Sequence, residues 1–110
     1  MLELINDRVI PGALRLTESQ GDGWWHRINL ERLDSSSDTN SVLGQLYGSR
    51  EKGLRLMLLD TEEADNFGFH VNAEAFGMDN NMAVTAHRIL DLGWVNLISN
   101  LQRDTVRIAA

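Results

Sequence analysis

Apolar residues recur at intervals of three and four along most of this chain, a spacing that puts them on one face of successive α-helices. The longest run is the last. Met82, Ala86, Leu90, Trp94, Leu97 and Leu101 form one stripe and predict a helix from about Asn81 to Arg103, the element expected at the centre of the fold. Near the other end, Ile5, Val9, Ala13 and Leu16 trace a second helical face. Pro11 interrupts it, because proline lacks an amide hydrogen and its ring collides with the preceding turn. The segment therefore reads either as a kinked helix or as a helix beginning at Pro11. Ser19-Gln-Gly-Asp-Gly23 then ends it.

The middle of the chain is built from shorter pieces. Trp24, Trp25, Ile28, Leu30 and Leu33 supply apolar surface, and Asn29 is placed to cap a short helix over Leu30 to Leu33. Ser35 to Ser41 is a polar hinge rich in possible caps. Val42, Leu43, Leu46 and Tyr47 then follow helical spacing, Gly44 leaves room for another backbone, and Gly48 suits a left-handed C-terminal cap; this is expected to be the most buried short helix. Ser49 to Leu58 predicts another helix with Leu54, Met57 and Leu58 inward. Its run of leucines also fits a buried strand, but length and helical neighbours favour helix. Asp60-Thr-Glu-Glu63 opens a further helix, closed by Phe67-Gly-Phe69. His70 to Asn81 reads as a long surface loop, the alternation from Phe69 to Ala73 fitting a short strand as the alternative. The tail Asp104 to Ala110 is expected to fray or to pair with a partner. The fold expected is all-α: a compact single domain over residues 1–110, with four or five helices and the long C-terminal helix central.

Composition agrees with one ordered core. The chain has 110 residues, 43% hydrophobic and 24% charged, enough for one domain and ordinary for a globular one. No long uninterrupted apolar stretch exists, and the N-terminus lacks the basic and apolar regions of a signal peptide, so a cytoplasmic, non-membrane protein is expected. With no cysteine, disulfides, thiolate metal sites and cysteine nucleophiles are excluded. The net charge of −6 is uneven: no Lys or Arg lies between Arg55 and Arg88, where Asp60, Glu62, Glu63, Asp65, Glu74 and Asp79 all fall. Phosphate backbones repel such a surface, which disfavours direct nucleic-acid binding. The acidic segment reads either as a phosphate mimic that contacts another protein or as solvated acids at helix N-termini.

Candidate chemistry is thin. Asp34, Ser36, Asp38, Asn40 and Gln45 fall at positions 1, 3, 5, 7 and 12 of a calcium-loop pattern. Thr39 stands where that loop needs glycine and Gln45 where it needs a bidentate glutamate, so the hinge reads as a helix cap. His26, His70 and His87 have no ligand spacing, and no metal or other cofactor is expected. There is no Gly-x-Ser-x-Gly elbow and no phosphate-cradling glycine motif, Ser35 to Ser37 have no identifiable base, and Glu62 and Glu63 point to different sides of a helix. A non-enzymatic role follows. Trp24 and Trp25, as neighbours, cannot easily both point inward; one left outside is a contact candidate, and the alternative is that both lie at the core edge.

The Trp24-Trp25 pair, Ile28-Asn-Leu-Glu-Arg-Leu-Asp34 and Val42-Leu-Gly-Gln-Leu-Tyr-Gly48 resemble segments of a family of small proteins encoded by actinobacterial phages and their hosts. A looser likeness covers Leu59 to Ala64, Gly68 and Phe69, and Leu90, Trp94 and Ile98. Members often carry cysteines just before the Val-Leu-Gly-Gln stretch. Asp38 and Ser41 stand in that region here, which argues against a metal or redox role, and Pro11 is a second departure. Nine arginines against the single Lys52 fit a GC-rich genome, a signal that nine asparagines temper. The resemblance implies no catalytic residue. It implies a small phage protein that binds a host protein and modulates a host complex in defence or transcription. The contact candidates are Trp24, Trp25, Asp60, Glu62, Glu63, Asp65, Glu74 and Asp79. The alternatives are an assembly protein that homodimerises through Val106 to Ala110 and an exposed tryptophan, and a small enzyme whose site is assembled from residues distant in sequence.

Overall fold

Six helical segments appear in the computed structural model, which describes residues 8–70 and 79–109. They are α1 (Val9–Gln20), a single 3-10 turn (Trp24–Arg27), α2 (Val42–Tyr47), α3 (Arg50–Leu56), α4 (Thr61–Asn66) and α5 (Asn80–Ala109). Among the described residues there is no strand, and the leucine-rich run that also fits a buried strand is the end of α3 and its turn. The protein is all-α. The 30 residues of α5 make a rod of about 45 Å at about 1.5 Å per residue, against a longest extent of 47 Å for the molecule. Its backbone stays helical to Ala109, beyond the end expected at Arg103.

The buried row of α5 is Ala86, Leu90, Trp94 and Ile98, a strict step of four that keeps one ridge against the shorter helices. Met82 is instead exposed in the first turn, and Leu97 and Leu101 are half-buried beside the ridge. On α1, Val9, Gly12, Ala13 and Leu16 face the core. The helix starts at Val9, two residues before Pro11. The proline lies in the first turn, where a missing amide hydrogen costs no intrahelical bond, and the ladder proceeds through Gly12 N–H to the Arg8 carbonyl at 3.3 Å. Ile5 lies outside the described residues.

Local signals explain α2. The Ser41 hydroxyl accepts the Gly44 amide at 3.0 Å as an N-cap, and Gly48 closes the helix at φ +101°. Gly44 itself faces the backbone of Asp38 and Thr39, and a Cβ there would come within 2.5 Å of the Thr39 carbonyl carbon. The hinge thus folds back over the helix it caps. Gly53 of α3 lies similarly close to Leu43 and Tyr47, which seats α3 on α2. Residues Leu30 to Leu33 form only a turn. Asn29 accepts the Glu31 amide through its side chain at 3.0 Å, and Gln45 holds the Asn29 amide at 2.6 Å and its carbonyl at 3.1 Å; the local backbone bonds, Arg32 to Asn29 and Leu33 to Leu30, span three residues as in a turn.

The end of α3 departs from expectation at Leu58. Met57 is buried, but Leu58 is 85% exposed at φ +59°. Leu58 takes the left-handed position that lets the Leu59 amide reach back to the Leu54 carbonyl at 2.8 Å, and this turns its side chain outward. Asp60 and Glu63 then start α4 reciprocally: the Asp60 carboxylate accepts the Glu63 amide at 2.8 Å, and the Glu63 carboxylate accepts the Asp60 amide at 3.3 Å.

Gly44→Ala tests the closest backbone approach. Chemical denaturation should show a loss of about 1–3 kcal/mol, the cost of overpacking a filled site, although alanine is the better helix former. Unchanged or increased stability would contradict the packing.

Candidate functional site

A polar concavity lies between the segment that contains Glu31 to Asn40 and the N-terminal half of α5. It has a volume of about 790 Å³ and is lined by Arg32, Asp34, His87, Arg88 and Asp91 among others. Ser35 locks its floor. This buried residue donates its amide to the Asp91 carboxylate at 2.7 Å and its hydroxyl to the His87 carbonyl at 3.1 Å, and its own carbonyl accepts from Arg50 at 2.9 Å. Three elements are therefore tied through one serine backbone, a use of buried polar groups that needs every partner present.

His87 is held from below. Its Nδ1 lies 2.9 Å from the Ala83 carbonyl, an acceptor only, so that nitrogen carries the hydrogen. Its Nε2 then faces His70 Nδ1 at 3.4 Å, the rings tilted with centroids 5.3 Å apart. Burial, with Arg50 and then His87 adding, lowers the His70 pKa to about 4. Burial raises the Asp91 carboxyl, an effect that the bonds from Ser35 oppose. Although Ser35, His87 and Asp91 are the residue types of a nucleophile, base and orienting acid, they form no relay. The serine proton goes to a backbone carbonyl, and Asp91 holds the serine amide instead of the imidazole. Chemically the arrangement is a clamp. Among the described residues no three His, Asp or Glu side chains converge as metal ligands.

The would-be calcium ligands are spent locally. Asp34 accepts the amide and hydroxyl of Ser36, at 3.0 and 2.6 Å, and Asp38 accepts the Glu51 amide at 3.3 Å. Of the contact candidates, Trp24 is a core residue, 2% exposed. Its indole N–H donates to Thr17 at 3.0 Å, and its ring meets Trp94 edge-on. Trp25 is half-buried and packs edge-on against Trp24, so of the pair it alone presents surface. Asp60, Glu62 and Asp79 are exposed, Asp79 capping α5 through the Met82 amide at 2.8 Å, and Glu63 is half-buried in the α4 cap. Glu74 and the side chain of Asp65 lie outside the described residues, as do the strand alternative over 71–73 and the side chains of Val106 to Ala110.

A second concavity, of about 660 Å³, separates α1 from α5 and is lined by Val9, Ile10, Leu92, Val95 and Leu97 together with the polar Asn96, Ser99 and Asn100. Ile10 and Leu92 are more than half exposed at its margin, and Leu14 is exposed one turn along α1 from Ile10. The sequence carries a signal for it. Ile10 and Leu14 stand four apart on a helix whose inward face is already complete with Val9, Ala13 and Leu16.

The imidazole pair predicts an acid response. The folded-state value of His70 lies below its ordinary 6.5, so between 6.5 and about 4 the unfolded chain binds more protons; stability is complete above 6.5 and falls as the pH drops through that window. Asp91 acts in the opposite sense, in a window that opens at 3.8. Urea midpoints should be lower at about pH 5 than at about pH 7, and His70→Gln should remove most of that difference. A wild-type midpoint that does not move would overturn this.

No helix among the described residues is long and apolar enough to cross a membrane. No family model matches the chain, and neither a curated protein nor a solved structure matches it.

Proposed function

We propose that this chain is a small, acidic, non-enzymatic protein-binding module, encoded by an actinobacterial phage and acting on a host complex in defence or transcription. The observation that carries this reading is its apolar surface. Ile10, Leu14, Leu56, Leu58, Met82, Val84 and Leu92 are all 47% to 85% exposed on a chain of 110 residues. Single exposed leucines are ordinary, but grouped ones mark contact surfaces, as Ile10 and Leu92 do around the α1–α5 groove. Trp25 adds a half-exposed aromatic ring of the kind that anchors interfaces. Asp60, Glu62 and Asp79 give the surface the sign that suits a basic protein and repels nucleic acid. The use of Ser35, His87 and Asp91 as a clamp supports the non-enzymatic half of the reading.

A second reading, a homo-oligomer, draws on the same groove, since a second copy's helix is one body that fills a channel between two helices. Light scattering separates the two: a monomer supports the binding module, and a tight dimer supports assembly. The direct test is a tagged pull-down from host lysate. Wild type should recover a specific partner, and Trp25→Ala or Glu62→Lys should lose most of it while circular dichroism stays native. Recovery of no specific partner, or equal recovery by the variants, would count against the proposal.

A further inference from the structure

Among the described residues, four helices are followed by a residue at positive φ. Gly21 follows α1 at φ +80°, Gly48 follows α2 at φ +101°, and Gly68 lies just after α4 at φ +73°. After α3 the position is held by Leu58 at φ +59°. The endings of α3 and α4 are the same motif. The Leu59 amide bonds back to the Leu54 carbonyl at 2.8 Å, and the Phe69 amide bonds back to the Ala64 carbonyl at 2.9 Å. Glycine occupies that backbone position without strain, whereas the Cβ of a leucine crowds the following carbonyl.

Glycine makes the same capping bond, so the fold gains nothing from a leucine side chain at this position. Leu58 is 85% exposed, more than any other large hydrophobic residue among those described, and Leu56 beside it is 61% exposed. The turn that presents them is nonetheless held firmly. Arg15 of α1 donates to the Met57 carbonyl at 3.0 Å, and Met57 itself is buried. A residue that strains the backbone while burying almost none of its side chain, on a fixed support, is the kind of outlier from which a functional role is argued.

The surroundings indicate what it meets. Asp60 and Glu62 are exposed just beyond it; of the cations nearby, Arg55 stands at its near edge and Arg15, bonded to the Met57 carbonyl, is paired with Glu18, and no Lys or Arg follows Arg55 in the sequence until Arg88. The margin therefore carries more acid than base, which favours a basic partner over a second copy. We propose that Leu58, with Leu56 beside it and Asp60 and Glu62 at its margin, anchors this chain on a partner protein that presents an apolar socket edged by lysine or arginine. This rests on the protein-binding reading above and names the chemistry of that partner.

The test compares wild type with Leu58→Gly, Leu58→Met and Asp60→Asn, the last keeping a good helix cap while removing a charge. The protein recovered by wild type from host lysate is purified and titrated against each variant by calorimetry. Leu58→Gly should raise Tm by several degrees and weaken the complex about tenfold or more. Leu58→Met should bind within about threefold of wild type, and Asp60→Asn should weaken binding severalfold at low salt, with the difference shrinking as salt is raised. A Leu58→Gly protein that binds like wild type overturns the anchor while leaving the protein-binding reading intact. If wild type captures nothing specific, both fall. A dimer seen by light scattering and lost in Leu58→Gly would replace the basic partner with a second copy, and an unchanged or lower Tm would overturn the strain on which the inference rests.

Discussion

The indole of Trp94 is where the separate helices become one core. It is 1% exposed, stacks on Phe69 with ring centroids 5.7 Å apart, meets Trp24 edge-on at 6.3 Å, and donates its N–H to the Gly68 carbonyl at 2.6 Å. The contacts come from two distant parts of the chain, the 3-10 turn and the Gly68-Phe69 turn after α4. Gly12 of α1 completes the enclosure: a Cβ there would lie 3.1 Å from the indole and would collide with the Phe67 carbonyl. Two glycines are therefore conditions of this packing. Gly12 admits α1, and Gly68, with its positive φ, shapes the turn whose carbonyl satisfies the only polar atom of the ring. Trp24 extends the cluster to α1 through its bond with Thr17, which explains why the first tryptophan of the pair is inside and the second at the edge.

Much of this fold was legible in the sequence because its decisive signals are local. The bounds of α2 follow from Ser41, Gly44 and Gly48, and the start of α4 from Asp60 and Glu63, all within a few residues of the helix they control. The stripe along α5 was legible too, from Ala86 to Trp94. What escaped was decided by partners far along the chain. Gln45 holds Asn29 across 16 positions, His70 meets His87 across 17, and Ser35 reaches Asp91 across 56. No periodicity encodes such pairs. Leu58 failed for a subtler reason: its helical register points it inward, and only the left-handed cap at that residue turns it out.

Capping and surface are linked in the same way at the acidic segment. Asp60 and Asp79 neutralise the ends of α4 and α5, so their presence has a folding cause, yet both stay exposed and lend their charge to the face beyond Leu58. Folding and binding readings of these acids are thus compatible. The polar cleft makes the contrast: Ser35, His87 and Asp91 direct their hydrogen bonds into the protein, where they hold the hinge to α5. The apolar residues, not the polar ones, are what this surface leaves unsatisfied.

The central claim is that Trp94 joins these segments, and urea unfolding of Trp94→Phe, with native structure checked by near-ultraviolet circular dichroism, tests it most directly. The smaller ring leaves a cavity and strands the Gly68 carbonyl, so a loss of about 2–4 kcal/mol is predicted. A loss below about 0.5 kcal/mol with a native spectrum would show that the helices are held together by something else.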